Sequence, residues 1–257
     1  MTSYPIDKFF SGHVFAFLLL FSRLGSVLML FPGIGENYVP PRMRLMLALT
    51  ISFLLMTPML PRLPAPPADI SELTRIVGYE IMIGLFFGTL LRLIVSTLET
   101  VGSVIAFQTG LSNATILNPA QAAQSPLASA FFSVVGLTLI FVTGLDHFLL
   151  RGLVSLYDLF PPGGAFMTGD MAQSIIQTVS RSFVVGIELG MPFLVIGLLM
   201  YVAIGMMQKL MPQVQLFLVV LPIQIWGGMA LIGLTIAGIL TMWLRYFDSS
   251  VGSLLVR

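Results

Sequence analysis

Few side chains in this sequence could support catalysis or metal binding. The chain has two histidines and no cysteine, which excludes thiolate nucleophiles and thiolate metal sites. Asp146 and His147 are neighbours in sequence, and neighbouring helical residues do not face each other. His13 stands at the start of a long apolar stretch. The sequence contains no HExxH, GxSxG or P-loop motif, so we expect no enzyme, no metal site and no cofactor.

Charged residues inside apolar stretches are more informative. Arg23, Glu80, Arg92 and Glu188 each lie among apolar neighbours. A charged side chain at the centre of a membrane helix costs about 2.5–3.5 kcal/mol on insertion scales. We therefore expect these four side chains to face protein or water rather than lipid.

One of these stretches carries a polar stripe. Thr89, Arg92, Ser96, Glu99 and Ser103 follow each other at intervals of 3, 4, 3 and 4 residues, which places them on one face of a helix. The stripe predicts a helix that lines a pore or contacts partner subunits. A stripe that faces the chain's own helices is an equally good interpretation.

A later stretch has a similar polar face. Gln173, Gln177, Arg181 and Glu188 share one side of a helix, and Pro192 follows. We expect Pro192 to break the helix partway, since proline removes a backbone hydrogen bond. Broken helices often mark binding regions in transport proteins, although a static kink is the other interpretation.

The run from Gly102 to Pro126, here called the neutral segment, is polar without being charged. It contains no Lys, Arg, Asp or Glu, but many Gln, Asn, Ser and Thr residues, with breakers at Gly110, Pro119 and Pro126. Unpaired polar groups in hydrocarbon cost several kcal/mol each. The composition predicts a re-entrant segment that is buried in protein or lines a watery cavity. An uncharged external loop is the alternative.

The elements around these residues belong to a membrane protein. Of the 257 residues, 57% are hydrophobic and 9% are charged, whereas soluble domains have roughly 25% charged residues. A membrane helix needs about 20 apolar residues. Six stretches approach this length: 13–31, 44–60, 76–98, 127–145, 181–207 and 216–244.

The predicted fold is therefore an all-α membrane protein with about six long hydrophobic helices, some broken by Pro or Gly. It forms one integral-membrane domain over residues 1–257, with a re-entrant, plug-like loop at 105–126 and a C-terminal helical hairpin at 181–244. Asp69 or Ser71 is the expected N-cap of the third long helix. A short amphipathic helix is expected from Asp146 to Phe160, ended by Pro161.

Three strings resemble the FliR family, the export-gate membrane proteins of flagellar and virulence type III secretion. They are FPGIGENYVPPRMRLMLALTIS, QTGLSNATILNP and KLMPQVQLFLVVLPIQI, in that order along the chain. The similarity covers nearly the whole sequence. Three positions depart mildly from the family pattern: Asn118 replaces an acidic residue, Lys209 an arginine and Gln215 an asparagine.

The resemblance implies a non-enzymatic pore subunit in the bacterial inner membrane, within the flagellar or secretion basal body. Its implied partners are FliP-type and FliQ-type proteins, other membrane proteins of the export apparatus, and unfolded export substrates. The segment 108–124 would fold into the pore as a plug.

Three groups of residues follow from this resemblance. The implied plug residues are Gln108, Gly110, Leu111, Asn113, Ala114, Ile116, Leu117, Asn118 and Pro119. Candidates for contacts with neighbouring subunits are Arg23, Glu80, Arg92, Ser96, Glu99, Arg181 and Glu188. The hairpin signature comprises Lys209, Pro212, Gln213, Gln215 and Phe217.

A secondary transporter or small-solute channel is the alternative function. It would use the helix interrupted at Pro192 as its binding region. Transporters commonly contain inverted repeats, and this sequence has none that is visible.

Overall fold

The computed structural model describes residues 5–36, 38–67, 69–113, 127–164, 168–210 and 216–255. These ranges contain helices and no strands, which confirms the predicted all-α class. The helices are α1 (Pro5–Leu30), α2 (Pro41–Met59), α3 (Ile70–Gln108), α4 (Leu127–Val142), α5 (Leu145–Leu159), α6 (Thr168–Leu210) and α7 (Leu216–Leu255). Short 3₁₀ turns follow α2 at Leu60–Arg62 and α3 at Leu111–Asn113.

Five helical stretches of the described chain are long and apolar enough to cross a membrane, and α4 with α5 would make a sixth as one broken span. α4 has only 16 residues, fewer than the roughly 20 that a bilayer core requires. A two-residue break with Gly144 at φ 74° separates it from α5. The prediction of about six long hydrophobic helices is confirmed, as is the short helix after Asp146.

Local sequence explains the start and end of α3. The backbone N–H of Leu73 donates to the Asp69 carbonyl oxygen at 3.1 Å, and the Ser71 hydroxyl donates to Asp69 Oδ2 at 2.5 Å. The hydrogen bonds from Ser71 lower the pKa of the Asp69 carboxyl. Asp69 is therefore the N-cap. At the other end Gly110, at φ 74°, has the left-handed conformation common just after a helix.

Two boundaries differ from the sequence predictions. α3 continues through Gln108, so residues 105–108 are helical rather than the start of a loop, because the apolar helical pattern continues up to the first amide, which is Gln108. α6 runs without interruption through Pro192, so the predicted break is wrong, and the alternative of a static kink stays a prediction. Proline removes only one backbone hydrogen bond, and the hydrogen bonds of the neighbouring turns maintain this 43-residue helix.

The chain forms two compact units. The first comprises Met1–Leu93, Gly144–Thr178 and Val251–Arg257, and the second comprises Ile94–Thr143 and Val179–Ser250. In the first unit α1 and the start of α3 run parallel in close contact. A Cβ atom on Gly84 would collide with Ser26, and one on Gly88 would lie 2.8 Å from the Cβ atom of Leu30.

The second unit is built from the end of α3 with α4, α6 and α7. α6 runs parallel to α3, since Gly186 faces Thr100 and Gly190 faces Val104. α7 runs antiparallel to α6, and the hydroxyls of Ser182 and Tyr246 lie 3.0 Å apart. Small residues permit this approach, because helices in a membrane associate through close packing of their backbones. The prediction of one domain over the whole chain remains a prediction.

Candidate functional site

A buried ion pair connects three helices of the first unit. Arg23 on α1 donates to Glu80 on α3 through Nε at 2.5 Å and through Nη2 at 3.1 Å. Both side chains are 0% exposed. The guanidinium also donates to the carbonyl oxygens of Leu156 at 3.2 Å and Phe160 at 2.9 Å, and it lies 4.1 Å from the centre of the Tyr157 ring.

These contacts place a cation at the C-terminus of α5, where the helix dipole is negative. The Leu156 carbonyl also accepts from the Phe160 N–H at 2.9 Å, and the Phe160 carbonyl lies just past the end of the helix. Arg23 and Glu80 therefore neutralise each other within the chain and need no charge from another subunit. The guanidinium at the same time donates hydrogen bonds to carbonyl oxygens at the end of α5.

The polar stripe on α3 is only partly used inside the chain. Ser103 Oγ lies 3.0 Å from Ser129 Oγ on α4, and Ser129 Oγ also donates to the Glu99 backbone carbonyl at 3.1 Å. The side chains of Arg92 and Glu99 are exposed. Neither takes part in an ion pair within the described ranges.

α6 repeats this pattern of exposed charge. Arg181 and Glu188 lie seven residues apart, as do Arg92 and Glu99, and both are exposed. The ion pairs of the described chain do not include them either. Four exposed charges thus lie on two membrane-length helices, where lipid contact would cost about 2.5–3.5 kcal/mol each.

The point at which the neutral segment leaves α3 is contacted by α6 and α7 of the second unit. The Gln224 side chain on α7 donates from Nε2 to the backbone carbonyl of Gln108 at 2.7 Å. A Cβ atom on Gly197 of α6 would collide with the Gln108 side chain, and one on Gly228 of α7 would lie 2.5 Å from the Cβ atom of Thr109. We call these five residues, Gln108, Thr109, Gly197, Gln224 and Gly228, the root cluster.

The structure describes some of the predicted plug and hairpin residues. Gln108 is the last residue of α3, Gly110 is buried, and Leu111 and Asn113 lie in the 3₁₀ turn. Lys209 lies exposed in the last turn of α6, and Phe217 lies in the first turn of α7. The remaining predicted residues lie outside the described ranges: Ala114, Ile116, Leu117, Asn118, Pro119, Pro212, Gln213 and Gln215.

The sequence analysis missed Gln224, Tyr157 and the two glycines of the root cluster. Gln224 could have been found, because it is the one amide in the apolar run from Leu216 to Ala230. Tyr157 gives no such signal, since a tyrosine is unremarkable near the end of an amphipathic helix. Within the described ranges, no group of three or more His, Asp or Glu side chains could hold a metal ion.

Comparison with known proteins shows a family and its relatives. The family described as bacterial export proteins, family 1, matches residues 14–250. A flagellar biosynthetic protein FliR of Caulobacter vibrioides is 36% identical over 231 residues, which is 90% of this chain and 92% of that protein. Another from Aquifex aeolicus is 28% identical over 236 residues, covering 90% and 89%. The surface presentation of antigens protein SpaR of Shigella sonnei is 23% identical over 220 residues, covering 84% of each.

Proposed function

Because this chain belongs to the FliR family of bacterial export proteins, and is thus a membrane component of the type III export apparatus, we propose that it is a pore subunit of the export gate. It assembles with FliP-type and FliQ-type proteins in the bacterial inner membrane. The assembly passes unfolded substrates, and this subunit catalyses no reaction. The exposed charges of α3 and α6 are the observation that carries the proposal.

Those charges argue for partner subunits on energetic grounds. Arg92, Glu99, Arg181 and Glu188 are exposed on helices that are otherwise apolar enough to cross a membrane. A lone chain in lipid would leave all four without a countercharge. In an assembly each can be paired or face water, as is usual for charges within membrane segments.

The exposed surface of α7 supports the same conclusion. An 18-residue apolar stretch of this helix is only 6% buried within the chain, whereas its C-terminal part contributes Trp243 and Phe247 to the core of the second unit. Hydrophobic contact with lipid accounts for part of such a surface. The small residues Gly227, Gly233 and Gly238 on this helix have no neighbour within 4 Å of an added Cβ atom, which leaves room for close approach by other helices.

The neutral segment is the proposed plug of the pore. A plug without charge does not trap charged substrates, and its amides can satisfy each other in a partly wet lumen. Gly110 follows the end of α3, and a proline such as Pro119 disfavours helix by its residue type, so the proposed plug is a segment able to change conformation. Leu111, Ile116 and Leu117 would exclude water, and Asn113 and Asn118 would hold the closed form through hydrogen bonds.

The transporter alternative has less support. It relied on a helix broken at Pro192 to form a binding region, and α6 is continuous there. A chain that acted as a transporter by itself would also be stable and monodisperse in detergent without partners. Extraction of the chain with and without the FliP-type and FliQ-type proteins distinguishes the two functions.

Deletion of Gly110–Gln121 tests the plug. We expect the gate to assemble normally and the membrane to become leaky to ions, because the pore loses its closure. Patch-clamp conductance and co-purification of the partners measure the two effects. A glycine–serine replacement of equal length is the control for chain length, and it should leak as well. Unchanged conductance of the deletion variant would count against a plug.

Glu99→Leu tests the role of the exposed charges. The variant should reduce co-purification of the partner subunits, since it removes a charge that the described chain leaves unpaired. Glu72→Leu is the matched control, because Glu72 is also an exposed acid on α3 but lies in its first turn. Equal recovery of partners with both variants would remove Glu99 from the interface.

A further inference from the structure

The end of α3 is held by a side chain from a helix more than a hundred residues away. Gln108 is the last residue of α3, and the last four carbonyl groups of any helix lack an N–H partner within it. The Gln108 carbonyl instead accepts a hydrogen bond of 2.7 Å from Gln224 Nε2. In a membrane protein an unsatisfied carbonyl costs several kcal/mol, and the hydrogen bond from Gln224 avoids this cost.

Gln224 itself needs a hydrogen-bond acceptor, because its surroundings are apolar. It is 7% exposed and lies in an apolar part of α7, between Leu216 and Ala230. A buried amide without a partner is unfavourable. The bond therefore gives the Gln108 carbonyl a donor and the Gln224 amide an acceptor.

Two glycines determine how closely the helices approach this point. A Cβ atom on Gly197 would lie 2.8 Å from Cδ of Gln108, and one on Gly228 would lie 2.5 Å from Cβ of Thr109. A larger residue at Gly228 would push α7 away from the end of α3, whereas one at Gly197 would require the Gln108 side chain to move. The buried hydroxyl of Thr109 donates to the Ile105 carbonyl at 2.8 Å, so a local side-chain hydrogen bond also stabilises the last turn of α3.

We propose that Gln224 is a positioning residue of the export gate. It holds the end of α3 against α7 and so fixes the point at which the neutral segment leaves α3. The inference rests on the proposed plug function and adds a residue outside the plug on which the closed state depends. Displacement of the segment at its start requires the Gln224–Gln108 hydrogen bond to break.

Gln224→Met tests the inference, because it removes the donor and retains the length of the side chain. A neutral hydrogen bond contributes about 0.5–1.5 kcal/mol net, so the ion leak of the assembled closed gate should rise about two- to tenfold. Thr235→Val is the matched control. It also removes a side-chain hydrogen bond from α7, but that bond goes to the Leu231 carbonyl of the same helix. Its leak should equal that of the wild type.

A reversible crosslink separates positioning from a general disturbance of α7. The chain has no cysteine, so an engineered pair is the only thiol pair in it. In the Gln224→Met background, Gln108→Cys with Gly197→Cys places two Cβ atoms about 3.3 Å apart, close to the usual disulfide range of about 3.5–4.5 Å. Oxidation should lower the leak relative to the reduced form of the same variant, and reduction should raise it again.

Val104→Cys with Gly190→Cys is the control crosslink, with a Cβ separation of 3.2 Å. It joins α3 to α6 one turn earlier and should not restore closure. Restoration by both crosslinks, or by neither, would overturn the inference. A wild-type leak in Gln224→Met, combined with a leaky plug deletion, would also overturn it while leaving the plug function intact. If the plug deletion itself does not leak, the proposed function fails first.

Discussion

Replacement of either partner of the buried Arg23–Glu80 pair should destabilise the chain strongly. Removal of one member of a buried ion pair typically costs about 3–5 kcal/mol, because the other charge stays in a low-dielectric environment. Both side chains here are 0% exposed. We therefore expect Arg23→Met and Glu80→Leu each to lower the free energy of unfolding by that amount.

The double variant Arg23→Met/Glu80→Leu should be less destabilised than either single variant. A buried pair can often be exchanged for apolar residues without loss of stability. The Phe160 carbonyl, however, loses the donor at 2.9 Å that Arg23 provides, and a buried acceptor left without a donor costs about 1–3 kcal/mol. The expected cost of the double variant is therefore about 1–3 kcal/mol.

Arg62→Met provides the matched control. Arg62 also bonds to a carboxylate, Asp158, at 2.7 Å, but the two side chains are 52% and 64% exposed. Exposed pairs contribute about 0–1 kcal/mol, so this variant should unfold almost like the wild type. The comparison isolates burial, since both arginines pair with an acid at similar distance.

Equilibrium unfolding in mixed detergent micelles, followed by circular dichroism, measures these differences. The reasoning would be refuted if the effects of the two single variants simply added in the double variant. Additivity within about 0.3–0.5 kcal/mol is expected only for independent sites. It would mean that the charges do not depend on each other.

Two further predictions concern local features. Asp69→Ala should weaken the start of α3 at neutral pH, with the difference from wild type shrinking in acid, as followed by unfolding at several pH values. The sign follows because hydrogen bonds lower the pKa of Asp69 from 3.8: its contribution is present above that value and is lost as pH falls through the lowered one. Gly136→Ala should cost about 1–3 kcal/mol, since the added methyl would collide with Leu98 and lie 3.3 Å from the Trp243 ring. Gly238→Ala, with nothing within 4 Å, should instead stabilise α7 by up to about 1 kcal/mol; equal effects of the two variants in thermal unfolding would contradict this packing.

Sequence alone was sufficient for features that depend on composition and near neighbours. The membrane class and the six apolar stretches were predicted correctly, and Asp69 was one of the two N-cap candidates, because each feature reflects residues within a few turns of one another. The break expected at Pro192 was wrong for a related reason. The low helix propensity of proline reflects only the local sequence. In the folded chain Gly190 and Phe193, on either side of Pro192, are buried in the second unit, and this packing maintains α6.

The choice of partners could not be predicted from local pattern. Arg23 and Glu80 are 57 residues apart and Gln108 and Gln224 are 116 apart, and nothing near any of them in sequence identifies its partner. Sequence by itself determined that polar groups in this chain must be satisfied inside a membrane, since that requirement follows from the cost of desolvation. Only the tertiary structure decided which group satisfies which, because that depends on how the helices pack once glycines allow them to approach.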